Sequence, residues 1–231
     1  MNERTFDTEL EELNELILKM GGMVERSIVE SIDALKVRDE ELSKKVIFRD
    51  KETDRLENEI DDKCIELLAT KQPVASDLRF ITTAMKITTD LERIGDLAVD
   101  IAQKNIELLS QPLLKPLIDM PVLSEISQKM IRMSLDSFVK RDSAGLTSIN
   151  DLEREADKLR DLITDDLIEI MIKDPATVKR AVPLMLVARH LERICDHAMN
   201  IAEDVVYMVE AKVVKHLHEN KQADNKLKGG V

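Results

Sequence analysis

Apolar residues recur at spacings of three and four along nearly the whole chain, which is the period of an amphipathic α-helix. The stripe near the start contains Leu10, Leu13, Ile17 and Met20. Only six glycines and six prolines occur in 231 residues, and this is too few for the turns of an all-β domain. The pattern therefore predicts an all-α protein with long helices.

Three prolines interrupt the helical pattern near the middle of the chain, at Pro112, Pro116 and Pro121. Proline removes a backbone donor, and its ring clashes with the preceding turn of a helix, so we expect a linker here. The predicted segments are a first three-helix bundle at 1–111, a linker at 112–121 and a second three-helix bundle at 122–218.

The second half is expected to follow the plan of the first. Its helices are predicted at about 122–140 and 144–172, and a third begins after Asp174 and Pro175, which supply a cap and a first-turn proline. The polar segment 219–231 is expected to be a flexible tail.

A repeated phrase supports this two-part plan. Residues 90–102 read DLERIGDLAVDIA and residues 190–202 read HLERICDHAMNIA, and eight of these thirteen positions are identical. Apolar spacing alone does not preserve Leu-Glu-Arg-Ile followed by Asp. We therefore predict two tandem antiparallel three-helix bundles related by an internal repeat.

Charge and composition narrow the functional class. The formal net charge is −12 and only five residues are aromatic, which disfavours nucleic acid as a partner. The chain has no apolar run of about 20 residues and no secretory signal at its start. Its two cysteines form no C-x-x-C motif. These features favour a soluble intracellular protein.

Acidic residues follow the repeat at spacings of four, which places them on neighbouring turns of one helix face. Asn200 stands where Asp100 stands in the first copy. The candidate metal ligands are Asp50, Asp54, Glu92, Asp96, Asp100, Glu153, Asp157, Glu192 and Asp196.

Two interpretations of these rows remain open. Two such helices side by side offer several oxygen ligands, and the candidate ions are magnesium, manganese, zinc and iron. Alternatively, the rows are a solvated face in which Arg93 and Arg193 neutralise the carboxylates.

Recognised catalytic motifs are absent from the sequence, including G-x-S-x-G, a P-loop and H-E-x-x-H. We therefore predict no catalytic or cofactor-binding residue and no enzyme activity. The alternatives are a dinuclear metal hydrolase that uses the carboxylates and a purely structural helical spacer. The sequence also shows no basic nest or cluster of arginines of the kind that binds free anions.

Four stretches resemble one family. They are MGGMVE at 20–25, QPVASDLR at 72–79, DLERIGDLAVDIA at 90–102 and HLERICDHAMNIAE at 190–203. Together they closely resemble the PhoU family of phosphate-uptake regulators, over nearly the whole chain.

The resemblance implies a cytoplasmic, often dimeric protein of two three-helix bundles. Such proteins act with the nucleotide-binding subunit of a high-affinity phosphate ABC transporter and with a membrane sensor histidine kinase. They keep the phosphate-starvation response off when phosphate is plentiful. Some carry metal clusters on E/D-x-x-x-D motifs, which match Asp50–Asp54, Asp96–Asp100 and Glu153–Asp157 here. The fourth motif pairs Asp196 with Asn200, so the second site is expected to bind metal more weakly.

Overall fold

The computed structural model describes residues 2–212. Six long helices account for most of them, and these residues contain no strand, so the all-α prediction is confirmed. The helices are α1 (Asn2–Val37), α2 (Glu40–Lys71), α3 (Ala75–Leu109), α4 (Asp119–Lys140), α5 (Ile149–Lys173) and α6 (Val178–Glu210).

Helix boundaries differ from the predictions at three places. Helix α4 begins at Asp119, three residues early, because a proline in the first helical turn, here Pro121, removes no needed hydrogen bond. Ala144–Leu146 is a separate 3₁₀ turn before α5, and Pro175–Thr177 is another before α6, capped by Asp174. The predicted tail and the last residues of the second bundle lie outside the described residues.

The two three-helix bundles lie side by side. Helices α3 and α6 pack against each other at the centre, and α1 also contacts α4. The central pair is antiparallel, since Lys86 pairs with Asp204 (2.7 Å) and Asp90 with His197 (2.7 Å). Helices α2 and α5 lie on the outer sides, each packed against the two other helices of its own bundle. The predicted pair of repeated bundles is confirmed.

One continuous apolar core joins the bundles. Phe80 on α3 stacks on Phe138 on α4, with ring centroids 4.8 Å apart, and both rings are fully buried. Gly21 lets α1 approach α4 closely, since a Cβ there would lie 2.3 Å from Leu135 Cδ1. Of the Gly-Gly pair in MGGMVE, Gly21 thus serves close packing between bundles, whereas a Cβ at Gly22 would meet no atom within 4 Å, and α1 is unbroken.

Within residues 2–212, no helix has the length and apolar character needed to cross a bilayer.

Candidate metal centre

The first acidic cluster lies between α2 and α3 and contains Asp50, Asp54, Glu92 and Asp96. Burial, followed by the negative charges of Asp54 and Asp96, raises the pKa of Asp50 to about 6. Burial and Asp96 also raise the pKa of Glu92. Carboxylates that the sequence places on two separate helices therefore share one site, and they hold negative charge that nearby cations do not fully compensate.

Glu57 also belongs to this first cluster, although the sequence analysis missed it. Burial raises its pKa, followed by the charges of Asp61 and Asp54. Positions 50, 54, 57 and 61 follow one helical row on α2. Extending the acidic row by one turn would have found it.

Arg93 neutralises part of the first cluster. Its guanidinium lies 3.3 Å from a Glu92 carboxylate oxygen and 3.2 Å from one of Asp96. The Arg93 side chain is 58% exposed, so water screens these pairs. The salt-bridged interpretation is thus partly realised, since Arg93 pairs with Glu92 and Asp96, whereas no cation among the described residues offsets the charges that raise the pKa of Asp50.

The second acidic cluster lies between α5 and α6 and contains Glu153, Asp157, Glu192 and Asp196. Partial burial of the carboxyl group, followed by the charges of the other three carboxylates, raises the pKa of Asp196 to about 6, although His197 opposes this shift. The internal repeat therefore places four carboxylates at corresponding positions in each bundle.

Arg160 distinguishes the second cluster from the first. Its Nη2 lies 3.4 Å from Asp157 and 3.9 Å from Glu192. When Asp54 is aligned with Asp157, Arg160 occupies the position of Glu57. The second cluster thus has a guanidinium where the first has a carboxylate, and we expect the second to attract cations less strongly.

Cys195 lies beside the second cluster, in the position that Gly95 occupies beside the first. Its side chain is almost fully buried. Burial, followed by Asp196 and Glu192, raises the pKa of the thiol. The thiol therefore stays protonated at neutral pH, and a protonated thiol is a poor metal ligand.

Asp100 and Asn200, the last positions of their rows, lie at the contact between bundles. Asp100 Oδ2 lies 3.8 Å from His190 Nδ1, and Asn200 Nδ2 donates to Asp90 Oδ1 (3.3 Å). Burial is the main cause of a lowered pKa at His190, which Asp100 partly offsets. The structure groups eight of the nine predicted ligands into two clusters and places Asp100 against the opposite bundle.

The donor set of each cluster fits a hard cation, because all its ligand atoms are carboxylate oxygens. Within the described part of the chain, however, no three His, Cys, Asp or Glu side chains are already arranged to hold a metal ion. Metal binding would therefore involve rotation of the carboxylates. Such rotation is open to Asp54 and Asp96, which are exposed or half-buried.

Known proteins match this chain in both of its bundles. The family model described as "PhoU domain" matches residues 17–104 and 121–205. A phosphate-specific transport system accessory protein PhoU homolog of Aquifex aeolicus is 38% identical, over 91% of this chain and 95% of that one. The accessory protein PhoU of Escherichia coli is 32% identical, over 92% and 88%.

Solved structures agree. The crystal structure of PhoU from Pseudomonas aeruginosa is similar with a TM-score of 0.85 and 34% identity, covering 90% of this chain and 100% of that one. The phosphate transport system regulatory protein PhoU from Streptococcus pneumoniae has a TM-score of 0.84 and 28% identity, with 91% and 99% covered. With both repeats matched and the fold shared, the chain belongs to the PhoU family.

Proposed function

We propose that this chain is a cytoplasmic negative regulator of the phosphate-starvation response. In this role it is an adaptor between the nucleotide-binding subunit of a phosphate ABC transporter and a membrane sensor histidine kinase, and it restrains uptake when phosphate is plentiful. The observation that carries the proposal is family membership over both repeats, with relatives named as phosphate-specific transport system accessory proteins.

The shape of the molecule suits an adaptor. Helix α2 packs within the first bundle and α5 within the second, so each bundle offers a separate long helix to a partner. In this scheme phosphate status reaches the protein through the conformation of the transporter, and the regulator transmits it to the kinase.

A gene deletion tests the regulatory role. Loss of the protein should raise alkaline phosphatase activity in cells grown with abundant phosphate, and reintroduced wild-type protein should restore repression. Unchanged phosphatase activity would contradict the proposal.

We propose further that the first acidic cluster binds magnesium, manganese, zinc or iron. The support is the concentration of carboxylates around Asp50, whose pKa of about 6 reflects burial and neighbouring negative charge. The test is metal content per chain for wild-type protein and for the variant D54N/D96N after dialysis against each metal. Equal metal content in both proteins would show that these two carboxylates do not bind the metal.

The hydrolase alternative and the oligomeric state have separate tests. Phosphodiesterase assays with added manganese would show turnover if the clusters were a dinuclear hydrolase centre, and the adaptor proposal expects none.

Sedimentation of the purified chain tests the homodimer that we propose by family resemblance, and a monomer at micromolar concentration would contradict it.

A further inference from the structure

An open groove of about 690 Å³ runs along the outer side of the second bundle, between α5 and α6. Apolar side chains of Val182, Met185 and Leu186 line one part of it. Three arginines line much of the rest, with Arg160 from α5 and Arg189 and Arg193 from α6, beside two carboxylates of the second cluster. The sequence predicted no arginine cluster, because it could not show that α5 brings Arg160 to the arginines of α6.

Two of these arginines form no ion pair within residues 2–212. Arg160 pairs with Asp161 (3.2 Å) and with two carboxylates of the second cluster. Arg189 and Arg193 are exposed, and the ion pairs found among the described residues include neither of them. They are four residues apart on α6, where like charges disfavour the helix. A ligand with negative charge would relieve this repulsion.

The internal repeat shows that this basic and apolar character is stronger in the second bundle, although Met85 and Arg93 match Met185 and Arg193. In the aligned first repeat, Thr82 and Lys86 replace Val182 and Leu186, and Thr89 replaces Arg189. The position of Arg160 is held by Glu57.

A second groove, between α1 and α2, is similar in size at about 780 Å³ but has the opposite charge balance. It is lined by three basic side chains and five carboxylates, whereas the α5–α6 groove is lined by three arginines and two carboxylates. Of these two grooves, the α5–α6 groove has more basic than acidic side chains and the larger number of apolar lining residues.

We propose that the α5–α6 groove docks an acidic amphipathic helix of one protein partner. The apolar residues and Arg189 span two helical turns of α6, about 10 Å. A helix laid along them would place apolar residues at spacings of three and four on Val182 and Leu186. Its flanking Asp or Glu residues would meet Arg189 and Arg193. This rests on the proposed adaptor function and assigns one of its two docking surfaces.

Free phosphate fits the groove less well than a helix does. Phosphate would use the guanidinium groups but leave the apolar floor exposed to water, and it would lie near the carboxylates of Glu192 and Asp196. A helix covers the floor and can place its own carboxylates away from those two.

Charge reversal tests the groove. Affinities of the transporter's nucleotide-binding subunit and of the kinase's cytoplasmic region are measured for the wild type, for R189E/R193E and for the control K19E/R55E. The control makes the same charge change in the α1–α2 groove. We expect R189E/R193E to weaken one partner at least tenfold, with the control within twofold of wild type. Circular dichroism checks that each variant is folded.

The outcomes separate this inference from the proposed function. If neither partner binds the wild type, the adaptor proposal fails and the groove proposal fails with it. If a partner binds the wild type and R189E/R193E equally well, the groove proposal alone is overturned.

Cross-linking identifies the occupant. Cys64 and Cys195 are buried, so V182C can be labelled selectively with a maleimide photo-cross-linker. We expect a cross-link to an acidic helical segment of the same partner, lost in V182C combined with R189E/R193E. A cross-link to a basic segment or to a second copy of this chain would overturn the proposal. Displacement of the partner by 10 mM inorganic phosphate, but not by equal ionic strength of chloride, would do the same.

Discussion

Gly95 on α3 lies opposite Asp50 on α2, and a Cβ at position 95 would be 3.3 Å from the Oδ1 atom of that carboxylate. Thr53 Cγ2 and Val24 Cγ1 would be 3.6 and 3.7 Å away. The absence of a side chain at Gly95 therefore allows α2 to bring its acidic row close to α3. The second bundle has Cys195 at this position, so the two clusters cannot have identical geometry.

Gly95→Ala should separate stability from metal affinity. Alanine is favoured over glycine in a helix by up to about 1 kcal/mol, and Asp50 can rotate away from the added methyl group. We therefore expect the metal-free variant to be about 0.5 kcal/mol more stable in urea. Metal binding at the first cluster should weaken about three- to tenfold.

Gly22→Ala is the matched control, because a Cβ at Gly22 would meet no atom within 4 Å. It should gain similar stability with unchanged metal affinity. Equal metal affinity in Gly95→Ala and Gly22→Ala would show that Asp50 is not a ligand.

Asp50→Asn should stabilise the metal-free protein at neutral pH. The pKa of Asp50 is about 6 in the folded protein, against an ordinary value of 3.8. Folding therefore becomes less favourable as pH rises from about 4 to 6, and the whole cost is present above pH 6. Removing the charge should raise the free energy of unfolding by about 1–2 kcal/mol at pH 7.5, measured by urea denaturation.

The pH dependence provides the check on that gain. It should shrink as pH falls toward 4.5, where the wild-type carboxyl is itself protonated. Asp165→Asn changes an exposed carboxylate outside both clusters and should have little effect at either pH. A gain from Asp50→Asn that is the same at pH 7.5 and 4.5 would rule out the charge as its cause.

Arg160→Gln should increase metal affinity at the second cluster. The substitution frees the carboxylates of Asp157 and Glu192 from the guanidinium. With the first cluster disabled by D54N/D96N, we expect tighter manganese binding, on the order of tenfold, by calorimetric titration. Arg154→Gln removes an exposed arginine whose partner is Asp151 and should leave affinity unchanged. Weaker binding in Arg160→Gln would mean that Arg160 organises the ligands.

Phe80→Ala should strongly destabilise the whole chain, because its ring is fully buried and stacked on Phe138 where the two bundles meet. We expect a loss of about 3–5 kcal/mol in the free energy of unfolding. Phe48→Ala, at a side chain 69% exposed, should change it by less than about 0.5 kcal/mol. Similar losses in both variants would contradict this account of the core.

The sequence by itself determined the helices, their repetition and the acidic rows. These features depend on periodicity within one segment, and helical spacing places Asp50 and Asp54 on one face whatever lies next to them. The family resemblance, carried by local motifs, was equally accessible. The ends of the helices were harder to predict from the sequence, as Pro121 inside the first turn of α4 shows.

Only the tertiary structure decided which side chains of different helices lie next to each other. The rotation of each helix about its axis is set by packing against its neighbours, and this rotation brings Asp96 to Asp50 and turns Asp100 toward His190. The same packing carries Arg160 from α5 to the arginines of α6. A single helix contains no information on such neighbours, because side-chain contacts between helices depend on relative rotation and shift as well as on local spacing.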